Sequence, residues 1–299
     1  MKKIISVYIN RFIKRLINGV DESLKDSGKL LAGEQTAQLI LKNQYKALQK
    51  EEIKKYDFNE VGFRKYSQNS EDGILLFIFS IIGTTNKKIV ELCASDGIEC
   101  NAANLIINHG WQGLLFDGNA EAIEKGKKFY RSHPDTFTLP PTFVNAWVTK
   151  NNVNELIARH DYAGQIDLLS IDMDGVDYWI WDSITVIKPR VVVVEVQCIL
   201  GTSYSVTVPY NDNFKTEFID GFGVYSGASI NAFIKLASKK GYKLVGVEKY
   251  GFNAFFIRED IAAGIFPEYD TTGYENIPFV KWARNKFFEQ IKDKKWEKV

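Results

Sequence analysis

Short apolar runs and longer amphipathic segments alternate along the middle of the chain. The apolar runs are long enough for buried strands and lie at 88–92, 113–116, 142–147, 166–171 and 190–196. Polar and apolar positions recur with helical periodicity between most of these runs. The run at 166–171 is nearly continuously apolar, as expected of a strand covered on both faces. Repeated strand–helix units predict a Rossmann-like, doubly wound α/β fold with a mostly parallel sheet.

The pattern changes after the fifth run. Residues 199–226 are rich in Gly, Ser, Tyr and Asn, which predicts a loop or lid. A helix is predicted from Ser226 or Ser229 to Lys240, with Gly241 ending it. Two further strands, 242–247 and 254–257, are joined by a link so short that it allows only an antiparallel hairpin. The sheet is therefore expected to end in a C-terminal antiparallel hairpin.

The chain divides by pattern into three parts. Residues 1–60 are lysine-rich and predict a helical N-terminal extension, 61–260 form the Rossmann-like domain, and 261–299 form a helical tail. The first twenty residues predict a basic amphipathic helix. We expect this helix to pack on the domain or on a second subunit of a homo-oligomer. Peripheral membrane contact is the alternative.

Composition narrows the class of protein. With 45% hydrophobic and 25% charged residues, the 299-residue chain is typical of a soluble globular protein. Its net charge of +1 argues against nucleic acid as the partner. The three cysteines have no CxxC spacing, so a zinc site or disulfide framework is not expected and a cytoplasmic location fits. No apolar run is long enough for a transmembrane helix.

Acidic residues end two neighbouring strands of the predicted sheet. Glu91 lies near the end of the first strand and Asp117 ends the second. Ligands of such sheets bind at the carboxyl ends of the strands, and a carboxylate there can accept both hydroxyls of a ribose. The glycines are too few for the dinucleotide signature GxGxxG. The pattern therefore favours S-adenosylmethionine over NAD. Alternatively, Glu91 caps a neighbouring helix and Asp117 is a solvated turn residue.

Three motifs resemble a known family. They are SQNSEDG at 67–73, VELCASDG at 90–97 and SIDMDG at 170–175. In this order and spacing they resemble the class I S-adenosylmethionine-dependent methyltransferase superfamily over about 66–260, and within it the FkbM-like O-methyltransferases. The resemblance implies five parallel strands with a closing hairpin, and a turn at 93–97 that binds the methionine part of the cofactor. One departure is Cys93, which stands where the family has its first glycine.

The expected cofactor site gathers the strand ends and the segment before the first strand. Asn145 and Ala146 are placed to meet the adenine ring, and Gln68 and Asp72 to border the cofactor from the other side. The expected cofactor-binding residues are Gln68, Asp72, Glu91, Ala94, Ser95, Asp96, Gly97, Asp117, Gly118, Asn119, Asn145, Ala146 and Asp172.

The chemistry is assigned to carboxylates after the fourth strand. A hydroxyl acceptor must lose a proton, so Asp172, and then Asp174, is the candidate general base. With Glu195 on the fifth strand, these residues could also hold a divalent metal, although a metal is not predicted. The alternative is that Asp172 positions backbone or cofactor and Asp177 caps a helix. Rings and amides within 201–225 are expected to form the acceptor wall.

The sequence leaves three functions open. The first is an S-adenosylmethionine-dependent methyltransferase acting on a sugar, a glycan or a small natural-product hydroxyl; the resemblance supplies this acceptor class. The second is a catalytically silent methyltransferase-like scaffold, for which Cys93 is the warning. The third is an NAD-dependent enzyme acting on nucleotide sugars, which the missing GxGxxG disfavours.

Overall fold

The computed structural model describes residues 35–299. The chain forms two compact units, Met1–Ala47 and Leu48–Val299. The described part of the first unit contains helix α1 at 35–46. The basic amphipathic helix predicted for the first twenty residues lies outside the described residues. The second unit takes in 261–299, the segment predicted as a tail. No helix within 35–299 is long and apolar enough to span a bilayer.

Helices and strands alternate through the second unit. Its α-helices are α2 (Lys50–Ile53), α3 (Phe58–Val61), α4 (Glu71–Ile82), α5 (Ala103–His109), α6 (Ala120–Ser132), α7 (Val153–Ala158), α8 (Asp177–Ser183), α9 (Ile230–Lys240), α10 (Glu259–Ala262) and α11 (Pro278–Ile291). Its strands are β1 (Lys88–Leu92), β2 (Gln112–Asp117), β3 (Thr142–Asn145), β4 (Gly164–Ile171), β5 (Ile187–Glu195), β6 (Val206–Thr207), β7 (Glu217–Ile219), β8 (Phe222–Tyr225), β9 (Tyr242–Val247), β10 (Asn253–Arg258) and β11 (Glu297–Lys298).

Seven strands form the main sheet in the order β3-β2-β1-β4-β5-β10-β9. Strands β1 to β5 pair in parallel, and β10 runs antiparallel to both β5 and β9. The order reverses at β1 and β4, which is where open α/β sheets bind ligands. The predicted parallel sheet with its antiparallel hairpin is confirmed, and the layout is that of the class I methyltransferase fold.

The core lies on both faces of this sheet. Val191, Val192, Val193 and Val194 of β5 are fully buried, as are Leu168 and Leu169 of β4. Such strands have no polar face because helices cover them on both sides. Trp181 of α8 is also buried, at 1% exposure.

Acidic side chains hold the backbone that precedes two of the helices. Helix α4 begins at Glu71. The Asp72 Oδ2 atom accepts the N–H groups of Lys65, Tyr66 and Ser67, which bends the chain there. The Ser67 hydroxyl in turn accepts the N–H of Asp72 from outside the helix. Helix α5 begins at Ala103, after two N–H groups that bond to Glu91.

The segment predicted as a loop or lid contains short strands. Strands β7 and β8 form a hairpin, and β6 pairs with β11 from the end of the chain. The Tyr225 hydroxyl donates to the Lys295 carbonyl at 2.5 Å. The C-terminal residues are therefore part of the same unit and hold this segment in place.

Candidate active site

A cleft of about 380 Å³ opens at the carboxyl ends of β1, β2, β3 and β4. Its walls come from the loops that follow these strands and from the segment before β7. The residues that line it are Cys93, Asp117, Gly118, Asn119, Ala146, Trp147, Val148, Met173, Gly175, Val176, Asn211, Asp212 and Phe214. Of the predicted cofactor-binding residues, it brings together Asp117, Gly118, Asn119 and Ala146.

Asp117 ends β2 at the wall of this cleft. Its Oδ2 atom accepts the Ser95 N–H at 2.8 Å, and Oδ1 accepts the Asn119 N–H at 2.7 Å. Each carboxylate oxygen has a second lone pair. Asp117 therefore ties the loops after β1 and β2 together and can still accept hydrogen bonds from a ligand in the cleft.

The turn after β1 contains three residues in the left-handed backbone region. Cys93, Ser95 and Gly97 have φ angles of 60°, 52° and 66°. A β-carbon on Gly97 would lie 2.8 Å from Leu115 Cδ1. Both this close contact and the positive φ therefore require glycine at this position. Cys93 lines the cleft. Desolvation at the cleft wall and nearby carboxylates, Asp177 and Asp117 foremost, raise the pKa of its thiol, which is therefore neutral at pH 7.

Glu91 faces the start of α5 and does not line the cleft. Its two carboxylate oxygens accept the N–H groups of Asn101 and Ala102 at 2.9 and 2.8 Å, and Ser170 Oγ donates to Oε1. Burial raises the pKa of Glu91 despite these donors. The side chain is thus turned to the helix, as in the capping alternative, and its direct contact with a cofactor stays a prediction.

The remaining residues of the turn support its shape. The Ala94 N–H donates to the Phe116 carbonyl, which joins the turn to β2. Asp96 pairs with Lys125 of α6 at 2.5 Å. Partial burial opposes ionisation, but the hydrogen bonds from Lys125 and the Ile98 N–H outweigh it and lower the pKa of Asp96. Asp96 thus joins the turn to α6 and does not line the cleft.

The lead-in residues do not line the cleft either. Asp72 is buried and directs its Oδ2 atom to the backbone of 65–67. Gln68 is exposed. Asn145 donates from Nδ2 to the Asp117 carbonyl at 3.0 Å and so positions the next residue, Ala146, at the cleft. Asp72 therefore has a structural role in the lead-in, and its contact with a cofactor stays a prediction.

Sequence reasoning missed the aromatic cover of the cleft. Trp147 Nε1 donates to the Asp212 carbonyl at 2.7 Å, although the ring is 62% exposed. Phe214 packs on Gly175, where a β-carbon would lie 2.5 Å from its ring. Residues 211–214, predicted as part of the acceptor wall, therefore line the cleft beside Asp117. The available signal was Trp147, a large aromatic residue at the end of the third apolar run.

Three carboxylates converge beside this cleft. Asp172, Asp174 and Glu195 each offer an oxygen within 4.8 Å of the others. Burial, and then the charges of Asp177, Asp174 and Glu91, raise the pKa of Asp172 to about 8. Burial, and then the charges of Asp172, Asp177 and Asp174, raise the pKa of Glu195 as well. Both acids are therefore easier to protonate than an ordinary carboxylate.

Asp177 organises the loop that carries these acids. It accepts the N–H groups of Met173 and Gly175 at 2.7 and 3.0 Å, so its bonds go to the loop before α8 and not to the first turn of that helix. Burial raises its pKa to about 6 although these bonds lower it. Asp174 is held at a φ of 52°, which turns it out of the line of the strand.

A smaller cavity borders two of these acids. Asp174 and Glu195 line it together with Gln197, Ser226 and aromatic rings of the β7–β8 hairpin, Phe218 and Phe222. Tyr204 and Tyr225 of the predicted acceptor wall lie instead against Phe288 and Trp296. A third, larger cleft of about 560 Å³ borders the edge strand β9 and contains none of the acids described above.

Comparisons with known proteins give likenesses to solved structures alone. No profile of a known protein family matches the chain, and no curated protein matches its sequence. CcbJ, a methyltransferase from Streptomyces caelestis, is 11% identical, with a TM-score of 0.40 over 68% of this chain and 96% of that chain.

Two further structures give similar values. The N-terminal domain of EvdMO1, solved with SAH bound, is 12% identical, with a TM-score of 0.39 over 70% of this chain and 92% of that chain. An S-adenosylmethionine-dependent methyltransferase from Clostridium acetobutylicum is 12% identical, with a TM-score of 0.36 over 58% of this chain and 84% of that chain.

Proposed function

We propose that the protein is an S-adenosylmethionine-dependent methyltransferase that acts on a hydroxyl of a sugar, a glycan or a small natural product. The observation that carries the proposal is Asp117, which lines the cleft at the end of β2 with lone pairs left for a ligand. An acid in this position is suited to the two hydroxyls of a ribose.

The walls of the cleft suit the other parts of the cofactor. Ala146, Trp147 and Val148 give an apolar, aromatic wall beside Asp117, which fits an adenine ring. The family resemblance assigns the turn at 93–97 to the methionine part of the cofactor. The nearby carboxylates favour the positive sulfonium over a neutral group.

The carboxylates are placed for the acceptor. Methyl transfer from a sulfonium is a displacement in which the leaving group departs readily, so alignment and removal of the acceptor proton remain for the protein. Asp174 and Glu195 line the smaller cavity together with Phe218 and Phe222, and Asp172 offers an oxygen within 4.8 Å of both acids. That cavity combines acids, an amide and rings, a lining that suits a hydroxylated acceptor. The resemblance supplies the sugar hydroxyl as the acceptor class.

Titration calorimetry with S-adenosylhomocysteine tests the cofactor. Asp117→Ala removes acceptors for the ribose hydroxyls and should weaken binding by about 10- to 100-fold, as expected for a lost hydrogen bond to a charged group. Asp135→Ala is the matched control, because this exposed aspartate follows α6 at the far end of that helix.

The outcomes separate the three functions. Micromolar S-adenosylhomocysteine binding that depends on Asp117 supports the proposal. Binding of NAD in its place would favour the NAD-dependent enzyme acting on nucleotide sugars. If the wild-type chain binds neither ligand, the scaffold alternative holds and the proposed function is wrong.

A further inference from the structure

The smaller cavity lined by Asp174 and Glu195 is too small to hold a whole acceptor. Its volume is about 70 Å³. Sites that enclose a small organic ligand have volumes of roughly 300–1,000 Å³, and a water molecule takes up about 30 Å³ in the liquid. The space beside the two acids therefore admits a functional group of an acceptor and not a complete sugar. The remainder of any acceptor that reaches these acids has to lie outside the cavity.

Hydrogen bonds fix the wall of this cavity. Gln197, which follows β5, donates from Nε2 to the Gly223 carbonyl at 3.2 Å and to Ser226 Oγ at 3.1 Å. The Gly227 N–H donates to the Gly175 carbonyl at 2.8 Å. These bonds join β8 and the residues after it to the loops that follow β4 and β5. The β7–β8 hairpin, which supplies rings to the cavity, is therefore held against the strand ends.

A group of aromatic rings continues from the cavity to helix α11. We call it the aromatic platform, and it consists of Phe218, Phe222, Phe252, Phe279 and Trp282. The first three of these residues line the cavity. The Phe222 ring lies 5.7 Å from Phe279 and 6.1 Å from Trp282 between centroids, and Phe279 lies 5.1 Å from Trp282. Phe222 therefore joins the cavity to the surface of α11 through rings in mutual contact.

The aromatic platform presents two of its rings to solvent. Phe218 is 62% exposed and Trp282 is 46% exposed. Phe222 is stacked on the fully buried Phe287 ring, with 5.3 Å between centroids and 6° between planes. Trp282 meets the same Phe287 ring edge-on at 5.6 Å. The platform is thus anchored on the core, and exposed apolar rings grouped in this way are typical of a binding surface.

The charges beside the aromatic platform favour an uncharged ligand. Lys286 Nζ lies 5.4 Å from the Trp282 ring but pairs with Asp220 in the turn of the hairpin at 2.9 Å. Lys294 pairs with Glu217 of β7 at 2.6 Å. Because both lysines have an acidic partner, they add little attraction for an anionic lipid headgroup.

A glycan suits the cavity and the aromatic platform together. Its hydroxyls can form hydrogen bonds with the acids and the amide of the cavity. The C–H face of a sugar ring is apolar and can stack on an aromatic side chain, which combines a large apolar area with little conformational freedom. A ligand with both kinds of surface uses the polar cavity and the exposed rings at once.

We propose that the acceptor is a glycan chain of several residues, which extends one hydroxyl into the cavity while neighbouring sugars stack on Phe218 and Trp282. This inference rests on the proposed function for the reaction, and it narrows the proposed acceptors to an extended glycan. Phe218 and Trp282 then set the preference for chain length, because a single sugar whose hydroxyl enters the cavity leaves much of the platform uncovered.

A glycan microarray tests this preference for chain length. It displays glucose, galactose, mannose, rhamnose and N-acetylglucosamine, each as a single residue and as an oligosaccharide of the same sugar, and the labelled full chain is titrated onto it. We expect at least one oligosaccharide to bind about tenfold more tightly than its single sugar. Phe218→Ala and Trp282→Ala should each lower the affinity for that oligosaccharide by about fivefold or more, as expected of aromatic anchors, and change the affinity for the single sugar by less than about twofold.

Phe137→Ala is the matched control. Phe137 is also 62% exposed, but it lies in the loop before β3 and so at the amino ends of the parallel strands. This variant should bind glycans as the wild type does, and circular dichroism confirms that each variant is folded. The inference is overturned if the wild-type chain binds no glycan on the array or binds single sugars as tightly as their oligosaccharides. It is also overturned if the folded Phe218 and Trp282 variants keep the wild-type affinity for the oligosaccharide.

Two further measurements separate this inference from its alternatives. Co-sedimentation with vesicles of phosphatidylcholine and phosphatidylglycerol tests a membrane: if the Phe218 and Trp282 substitutions abolish vesicle binding but not glycan binding, the aromatic platform contacts lipid and the inference is wrong. Calorimetry with S-adenosylhomocysteine tests the proposed function. Loss of that binding with the preference for chain length retained would overturn methyl transfer and leave the glycan surface standing. Cofactor binding without any preference for chain length would overturn this inference alone.

Discussion

Glu91 and Asp117 show how residues of similar chemistry at neighbouring strand ends acquire different roles. Glu91 precedes the last residue of β1, and its longer side chain reaches the free N–H groups of Asn101 and Ala102. Asp117 is the last residue of β2 and stays at the cleft. Backbone N–H groups at the start of a helix lack partners and attract a carboxylate. Glu91 therefore stabilises the start of α5. The sequence indicates which acids end strands but not where each is turned.

Cys93 is the residue at which the turn departs from its expected glycine. Its φ of 60° is unfavourable for a residue with a β-carbon, by about 1–2 kcal/mol. The side chain also lies at the wall of the cleft. The same position therefore combines backbone strain with reduced space for a ligand.

Cys93→Gly should bind S-adenosylhomocysteine more tightly than the wild type, because the side chain at the wall is removed. Its stability should change by less than about 1 kcal/mol, since relief of strain is offset by the greater flexibility of the unfolded chain. Calorimetry and thermal unfolding measure the two effects. Cys93→Ala is the control: it keeps the β-carbon and the strain. Equal affinity in the wild type and both variants would show that Cys93 does not restrict the cleft.

At the scale of elements, Asp167 of β4 joins the amino ends of the central strands to the segment that leads into β1. Its carboxylate accepts the N–H groups of Thr85, Asn86 and Lys87 and pairs with Arg190 of β5 at 3.0 Å. Burial opposes ionisation, but the bonds from Thr85 and Arg190 outweigh it and lower the pKa of Asp167. The carboxylate is fully buried and carries its charge.

Asp167→Ala should reduce the free energy of unfolding by about 3–5 kcal/mol, because it leaves the buried Arg190 guanidinium and three N–H groups without their partner. Urea unfolding followed by circular dichroism measures the loss. Asp182→Ala removes an exposed partner of Lys239 and should cost less than about 1 kcal/mol. A loss as small as that of the control would mean that Asp167 does not anchor the strands.

The elements were predictable from the sequence where local pattern decides them. The strands β1, β4 and β5 and the hairpin β9–β10 follow from apolar runs and a short link. The starts of α4 and α5 were not predictable, because the carboxylates of Asp72 and Glu91 set them through bonds that skip several residues. The order of the site residues along the sheet was predictable. The position of residues 211–214 over the cleft was not, because it depends on contacts with loops that are distant in the sequence.

At the scale of the whole molecule, the end of the chain closes the segment next to the active site. Strand β11 pairs with β6, and the Val299 N–H donates to the Ser205 carbonyl at 3.2 Å. Trp296 packs on Tyr225 of β8 at 4.9 Å between ring centroids. The partner strands are about ninety residues apart in the chain, so sequence periodicity could not reveal this pairing. The segment between them includes 211–214, which line the cleft.

Deletion of residues 296–299 should therefore affect both stability and the site. It removes the β6–β11 hydrogen bonds and the packing of Trp296 on Tyr225, for an expected loss of about 2–4 kcal/mol. We expect faster proteolysis within 201–226, because this segment loses its partner strand, and weaker S-adenosylhomocysteine binding, because residues 211–214 form part of the cleft wall. Thermal unfolding, limited proteolysis with mass spectrometry, and calorimetry measure these effects. Lys298→Ala, which keeps the backbone pairing, should behave as the wild type. Unchanged proteolysis in the deleted chain would show that the segment holds its position without β11.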